Sequence, residues 1–367
     1  MRIVCAPNAF KATLSAGAAS EALAEGVRRA GAEPVLAPVA DGGDGTLDVL
    51  MAAAGTTARI DKVAVSGPLG QAVAARLGWI GDEVAVVELA EAAGLRLLGD
   101  TEADPMAATT FGVGELLCAA IDAGARRVVV GVGGSATTDG GMGLLSALGA
   151  TFRDGQGQPV PACGRGMGLV VEVDLAAAIA RTAPVAIEVA VDVDIPLYGD
   201  NGAAFVFAAQ KGADAAQIAA LNVGLENFST VMEKAIDRPG LAKHPGMGAA
   251  GGSAFGLAAI GAAIRSGAQL VCDQSGFDAA LRGADLVITG EGRLDDQTRR
   301  GKAPAEVARR CQAQGIPCVV IAGEVSDALP DLFSAAHSLG GGAGDPALTS
   351  AGLNQTAYNV VTAAMRG

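Results

Sequence analysis

At 367 residues the chain is longer than one ordinary core organises, so two domains are expected. Half of it is apolar but only 3% aromatic, which leaves alanine and glycine to pack helices closely on sheets and to form many tight turns. A formal net charge of -13 argues against nucleic acid as a partner, because phosphate neutralisation needs a basic face and base stacking needs aromatics, whereas a small anion needs only a local positive field.

Residues 2–6 form a short β-branched strand. A helix is expected over 15–30, with Ser15 as N-cap and Gly31 past its end. Strand character resumes over 33–39 and stops at DGGDGT (41–46), giving a βαβ opening. The pattern changes near residue 58: RIDKVAVSG, QAVAARLGWI and DEVAVVELA read as strands joined by glycine-rich turns, hence an antiparallel or mixed sheet. A helix over 114–123 leads to the strand RRVVVGV, then GGSATTDGG (133–141), then another helix. PVAIEVAVDV (184–193) is a strand, and residues 200–252 hold helices and a second glycine cluster, GMGAAGG. From residue 284 the α/β alternation returns with DLVITG, a helix over 303–314, IPCVVIAG and a last helix near 354–365. The expected fold class is therefore α/β with two α/β domains. One is an open parallel-sheet domain from both termini (1–65 plus 284–367); the other is an inserted mixed-sheet domain (66–283), with the active site between them.

The six cysteines (Cys5, Cys118, Cys163, Cys272, Cys311, Cys318) contain no CxxC pair and read as reduced thiols. The opening MRIVCAPNAFK is too short an apolar run for a signal peptide, and the longest apolar stretch, around 254–264, is far below a membrane span. A soluble, cytoplasmic protein is expected.

Glycine-rich loops after strands present backbone N–H groups to an anion. GVGGSA matches the dinucleotide pattern G-x-G-x-x-A, but 53 glycines make that match weak, and Asp139, Gly140 and Gly141 sit badly in a Rossmann turn. No Walker A motif is present. Four loops carry carboxylates beside glycines or at strand ends: DGGDGT, GGSATTDGG, DVDIP and GEGRLDD. That chemistry suits Mg²⁺ ligation or deprotonation of a hydroxyl, against the plainer reading of turns and caps. Of only six lysines, Lys11, Lys211 and Lys302 stand in apolar or glycine context and read as anion clamps rather than solvated surface charges. His244 and His337 are the only histidines, so neither a Ser-His-Asp triad nor a histidine metal centre is expected and acid–base work falls to carboxylates. Together these features point to phosphoryl transfer, where positioning and charge neutralisation dominate.

The catalytic candidates are Asp192, Lys211 and Lys11. Asp192 and Asp194 are expected to end one strand on the same face, with Asp192 as the base and Asp194 and Asp295 at the metal, an assignment that can be exchanged. Substrate and phosphate would be bound by Asn8, Asp41, Gly42 and Gly43 early in the chain, by Gly133, Gly134, Ser135 and Thr137, and by Gly290, Glu291, Arg293 and Lys302.

Taken in order, APNAFKATLSA, ADGGDGT, SGPLG, VVELAEAAGL, TTFGVGEL, GVGGSATTDGGMG, DVDIPLYG, FAAQKGA, GMGAAGG and TGEGRLDDQTRRGK resemble the bacterial glycerate kinase family of glycerate 2-kinase type, over at least residues 3 to 323. The resemblance implies ATP-dependent phosphorylation of D-glycerate, usually to 2-phosphoglycerate, in glycerate, glyoxylate and sugar-acid carbon metabolism. It implies ATP and Mg²⁺ as cofactors. It also implies a flavodoxin-like domain from both termini and an inserted domain likened to a restriction-enzyme fold. Expected partners are D-glycerate and ATP, with no nucleic acid and no membrane; a homodimer is left open. Asn8-Ala9 stand where the family usually has Asp-Ser, Asp44 where Glu is usual, Thr138 where Asn is more frequent, and Ile195-Pro196 where Asn-Pro is common. Another small hydroxy acid is the alternative acceptor. The alternative functions are an NAD-dependent oxidoreductase of small hydroxy acids, resting on GVGGSA, and a non-catalytic sensor of small acids.

Overall fold

A computed structural model describes residues 1–10, 13–99, 101, 103–294, 302–325, 331–340 and 345–366. The chain is α/β and divides into two compact units: residues 1–41, 48–54 and 266–367 form one, and residues 42–47 and 55–265 the other.

The unit built from the termini carries a five-stranded sheet in the order Glu33–Leu36, Arg2–Pro7, Leu286–Leu294, Cys318–Val325, Ala335–Ser338. Every neighbouring pair is parallel. Numbered along the chain this is the doubly wound 2-1-3-4-5 order of flavodoxin. A strand covered on both faces reads as continuous apolar sequence, as RIVCAP does. Its alternation sends Ile3 and Cys5 to one core cluster, with Leu23, Val27, Leu353 and Val361. Val4 and Ala6 go to the other, with Cys272, Phe277, Val307 and Cys311. Helices Ala16–Arg29 and Pro346–Ala364 cover the first face; Gly267–Ser275 and Ala303–Ala313 cover the second. The expected N-cap is in place, since Ser15 Oγ accepts from Ala18 N at 3.2 Å.

The other unit holds a six-stranded sheet in the order Ala263–Ser266, Ala186–Val191, Arg127–Gly131, Val84–Glu88, Ala72–Ile80, Ala58–Ser66. Ala58–Ser66 and Ala72–Ile80 form an antiparallel pair, from Ala58 opposite Ile80 to Ser66 opposite Ala72. Val84–Glu88 is antiparallel to Ala72–Ile80 and parallel to Arg127–Gly131, which is in turn parallel to Ala186–Val191. The sheet is mixed. Trp79, Leu116, Leu117, Met142, Phe228 and Phe255 share its core.

The contact division falls elsewhere than the expected boundaries at 65/66 and 283/284. Ala58–Ser66 pairs edge to edge with Ala72–Ile80, which draws it into the mixed sheet, and Ala268, Cys272, Phe277 and Leu281 pack into the parallel sheet's second core cluster. The strand expected over 184–193 is shorter, Ala186–Val191. The last residue it pairs with Arg127–Gly131 is Ala190, opposite Gly131, where that neighbouring strand ends. Asp192 and Asp194 therefore lie beyond the strand, and strand alternation does not set their directions. Among the described residues no helix is long and apolar enough to cross a membrane.

Candidate active site

In the mixed-sheet unit two glycine loops, 42–47 and 133–141, meet backbone to backbone, the second following the parallel strand Arg127–Gly131. A Cβ on Gly133 would fall 2.3 Å from Gly43 Cα, so no larger residue fits at this approach, and Gly133 N donates to Gly42 O at 3.1 Å. Glu88, the last residue of Val84–Glu88, fixes the first loop by accepting from Gly45 N at 3.2 Å and Leu47 N at 3.0 Å. Burial pushes the Glu88 carboxyl up, opposed by those two N–H groups.

The second loop, 133–141, is held by two buried charges. Asp139 accepts from Thr110 N and Thr110 Oγ1, both at 2.8 Å, from Gly141 N at 3.0 Å and from Gly143 N at 3.2 Å. Thr110 Oγ1 in turn accepts from Leu144 N at 2.9 Å. One carboxylate thus serves the N-termini of helices Phe111–Asp122 and Met142–Ala147. Burial raises its pKa above the usual carboxylate range, against the pull of these donors. Lys211 closes the short turn Ala209–Lys211 and is 2% exposed. Its Nζ donates to Ser135 Oγ at 2.8 Å and to Thr137 O at 2.5 Å. Burial pulls the ammonium down to about 7, and the Asp139 charge works against that pull. The Thr137 and Thr138 hydroxyls are buried with no hydrogen-bond partner.

Behind this loop lies GMGAAGG. Gly251 has φ +65°, and a Cβ there would fall 2.1 Å from Thr137 O. Gly251→Ala is expected to lower unfolding free energy by roughly 2 kcal/mol or more, from strain and from the clash with a carbonyl that Lys211 also holds. Chemical denaturation reads this directly.

In the parallel-sheet unit the expected residues collect where the strand order reverses, at the carboxyl ends of Arg2–Pro7 and Leu286–Leu294, the place where open α/β sheets take ligands. Asn8 N donates to Gly290 O at 2.8 Å. Asn8 Nδ2 donates to Asp41 Oδ2 at 2.9 Å, and Asn8 Oδ1 accepts from Ala9 N at 2.7 Å. An amide serves both partners, where a carboxylate would face the Asp41 oxygens. Glu291 is buried, with Lys302 Nζ 3.8 Å away. Lys302 is the N-cap residue of Ala303–Ala313. Arg293 is exposed, 3.9 Å from Glu324.

The sequence-based candidates therefore fall into separate groups. Gly42, Gly43, Gly133, Gly134, Ser135, Thr137 and Lys211 share the loops of the mixed-sheet unit. Asn8, Asp41, Gly290, Glu291 and Lys302 gather in the parallel-sheet unit. Asp192 and Asp194 are exposed beyond Val191. Lys11 and Asp295 lie outside the described residues, and among those described no group of three or more His, Cys, Asp or Glu is placed to hold a metal ion. Lys211 grips the glycine loop 133–141 through Ser135 and Thr137, a role not read from the sequence. Glu88, Thr110 and Asp139 were not named as site residues. Asp139 had a signal, as the one carboxylate in GGSATTDGG, and so had Glu88, as the acid closing the apolar strand VAVVE.

The description "glycerate kinase family" matches residues 3–363. The glycerate kinase of Bacillus cereus is 40% identical over 364 residues, covering 98% of this chain and 94% of the relative. That of Bacillus subtilis is 41% identical, with 89% and 86% covered, and the glycerate 2-kinase of Escherichia coli K12 is 38% identical, with 89% and 86% covered. A crystal structure assigned as glycerate kinase 2, from Salmonella typhimurium LT2, has a TM-score of 0.86 at 37% identity, covering 100% of this chain and 99% of that one. These relatives are phosphotransferases, which sets aside the oxidoreductase reading of GVGGSA and the non-catalytic sensor. Glycine loops braced by buried charges, at the ends of parallel strands, are what a phosphotransferase needs, and the chain belongs to the glycerate kinase family.

Proposed function

We propose that the chain transfers the γ-phosphoryl group of ATP to the C2 hydroxyl of D-glycerate, giving 2-phospho-D-glycerate and ADP. The observation that carries this reading is the buried Lys211 ammonium holding Ser135 and Thr137 inside a glycine loop at the carboxyl end of a parallel strand. Such a loop offers N–H groups and a fixed positive field to a phosphoryl group or a carboxylate. The Escherichia coli relative, named a glycerate 2-kinase, supports the acceptor and the product.

In this reading Asp192 takes the proton of the acceptor hydroxyl as the phosphorus–oxygen bond forms, because neither histidine lies in a strand-end glycine loop and a secondary hydroxyl needs a base. Mg²⁺ is usually held by one or two carboxylates together with substrate phosphates rather than by a protein cage, and the exposed Asp194 carboxylate fits that donor set. The ion would neutralise phosphate charge. Lys302, at the N-cap position of its helix and 3.8 Å from Glu291, would hold a negative group at the parallel-sheet switch point. All six cysteines are free thiols, which supports a reducing, cytoplasmic setting.

ADP release measured with D-glycerate, L-glycerate, glycolate and D-lactate, each with ATP and Mg²⁺, tests this reading. D-glycerate is expected to give the largest kcat/KM. Equal turnover of D-lactate, or none of D-glycerate, would overturn it.

A further inference from the structure

The chemistry proposed above assigns no task to Asp44, although the loop that carries it meets loop 133–141 backbone to backbone. Three successive residues of that loop lie against the ends of parallel strands. A Cβ on Gly42 would fall 2.5 Å from Ala190 O, two residues before Asp192. Gly43 meets Gly133, and a Cβ on Gly134 would fall 2.0 Å from Asp44 Oδ1. The Asp44 carboxylate thus fills the space that a side chain at position 134 would need.

The loop is pinned on both sides of this carboxylate. Gly43 O accepts from Thr46 Oγ1 at 2.8 Å, and Glu88 accepts from Gly45 N at 3.2 Å and from Leu47 N at 3.0 Å. Asp44 itself is exposed, and among the described residues its carboxylate makes no hydrogen bond or ion pair. Its charge only opposes that of Glu88, which has the same sign. Nothing within the unit explains why an acid is held there.

The sign of the charge restricts what it can serve. An ionised carboxylate accepts and cannot donate, so it repels phosphoryl and carboxylate oxygens and takes a hydroxyl. D-glycerate carries two hydroxyls. The one at C2 attacks phosphorus and gives its proton to Asp192 in the reading above, which leaves the one at C3.

We propose that Asp44 is a specificity-determining residue, accepting a hydrogen bond from the C3 hydroxyl of D-glycerate beside Gly134. The assignment rests on the phosphoryl-transfer reading for the identity of the acceptor. The site then selects its substrate by the hydroxyl that does not react. D-lactate, with a methyl group in place of the hydroxymethyl, leaves Asp44 without a donor, and a site built to bond a hydroxyl rejects the analogue that lacks it.

The test compares kcat/KM for D-glycerate and D-lactate in the wild type, Asp44→Ala and Asp44→Asn. Asp44 is exposed, so neither substitution empties the core. Asp44→Ala is expected to lower kcat/KM for D-glycerate by roughly ten- to a hundredfold, the loss of a hydrogen bond to a charged group. The value for D-lactate should stay within a few-fold. Asp44→Asn keeps an acceptor oxygen without the charge and should fall between. Equal losses with both acids overturn the proposal. So does an unchanged preference with a raised KM for Mg²⁺ and ATP, which would put Asp44 on the nucleotide instead. Calorimetric titration of each acid into protein holding ADP and Mg²⁺ makes the same comparison without turnover. No preference for D-glycerate in wild-type binding overturns the assignment even where ADP is released from ATP. A binding preference that disappears in Asp44→Ala, in a protein that releases no ADP, would leave Asp44 in its role and remove the phosphoryl-transfer reading instead.

Discussion

Lys211→Met is expected to lower kcat/KM by about two decades or more, the order found when a desolvated charge contact made in the transition state is lost. Methionine fills much of the same space, so the core around the turn Ala209–Lys211 keeps its volume. What goes is the ammonium, and with it the hydrogen bonds to Ser135 Oγ and Thr137 O. Loop 133–141 then keeps its glycines but loses its internal tether and its positive field. Stability moves the other way on the alkaline side. Lys211 has its ordinary value of 10.5 when unfolded and about 7 in the fold, so between those pH values the unfolded chain holds the extra proton. This residue therefore makes the folded state more stable as pH rises from about 7 toward 10.5. Denaturation midpoints followed against pH should show that rise in the wild type and lose it in Lys211→Met. Unchanged kinetics in the variant would remove Lys211 from the site.

Asp192→Asn is the second large effect expected: turnover falls by at least about a hundredfold while ATP still binds. The substitution keeps shape and removes charge, and because Asp192 is exposed beyond Val191 it costs the core nothing. Steady-state kinetics with a separate nucleotide-binding measurement distinguish a lost base from a lost binding group. Turnover within a few-fold of wild type would show that Asp192 is not the base and would leave Asp194 as the carboxylate to test.

Much of the fold was legible because its signals are local. RIVCAP, DLVITG and IPCVVIAG are apolar on both faces and become neighbouring parallel strands. The loops were legible as well, since glycines and carboxylates cluster in DGGDGT and GGSATTDGG. The pairings that give the loops their properties were not. Lys211 reaches Ser135 across 76 positions, and Asp139 reaches Thr110 across 29, through helix packing that no spacing rule encodes. A lysine in QKG reads as an anion clamp when its context is short-range; its burial is a property of the finished core. Asp192 and Asp194 were assigned one face because PVAIEVAVDV looks like strand to its end. Strand length is set by the neighbour, and Arg127–Gly131 stops opposite Ala190. The unit boundaries moved for a related reason, as the edge hydrogen bonds of Ala58–Ser66 outweigh its position in the chain.

The most direct measurement is the phosphorus nuclear magnetic resonance spectrum, without proton decoupling, of the product formed from D-glycerate, ATP and Mg²⁺. A phosphoryl group on the C2 oxygen couples to the single methine proton, so the product resonance is expected as a doublet. A triplet would place the phosphoryl group on the C3 oxygen beside a methylene, and the absence of any new phosphate monoester resonance would contradict phosphoryl transfer to glycerate altogether.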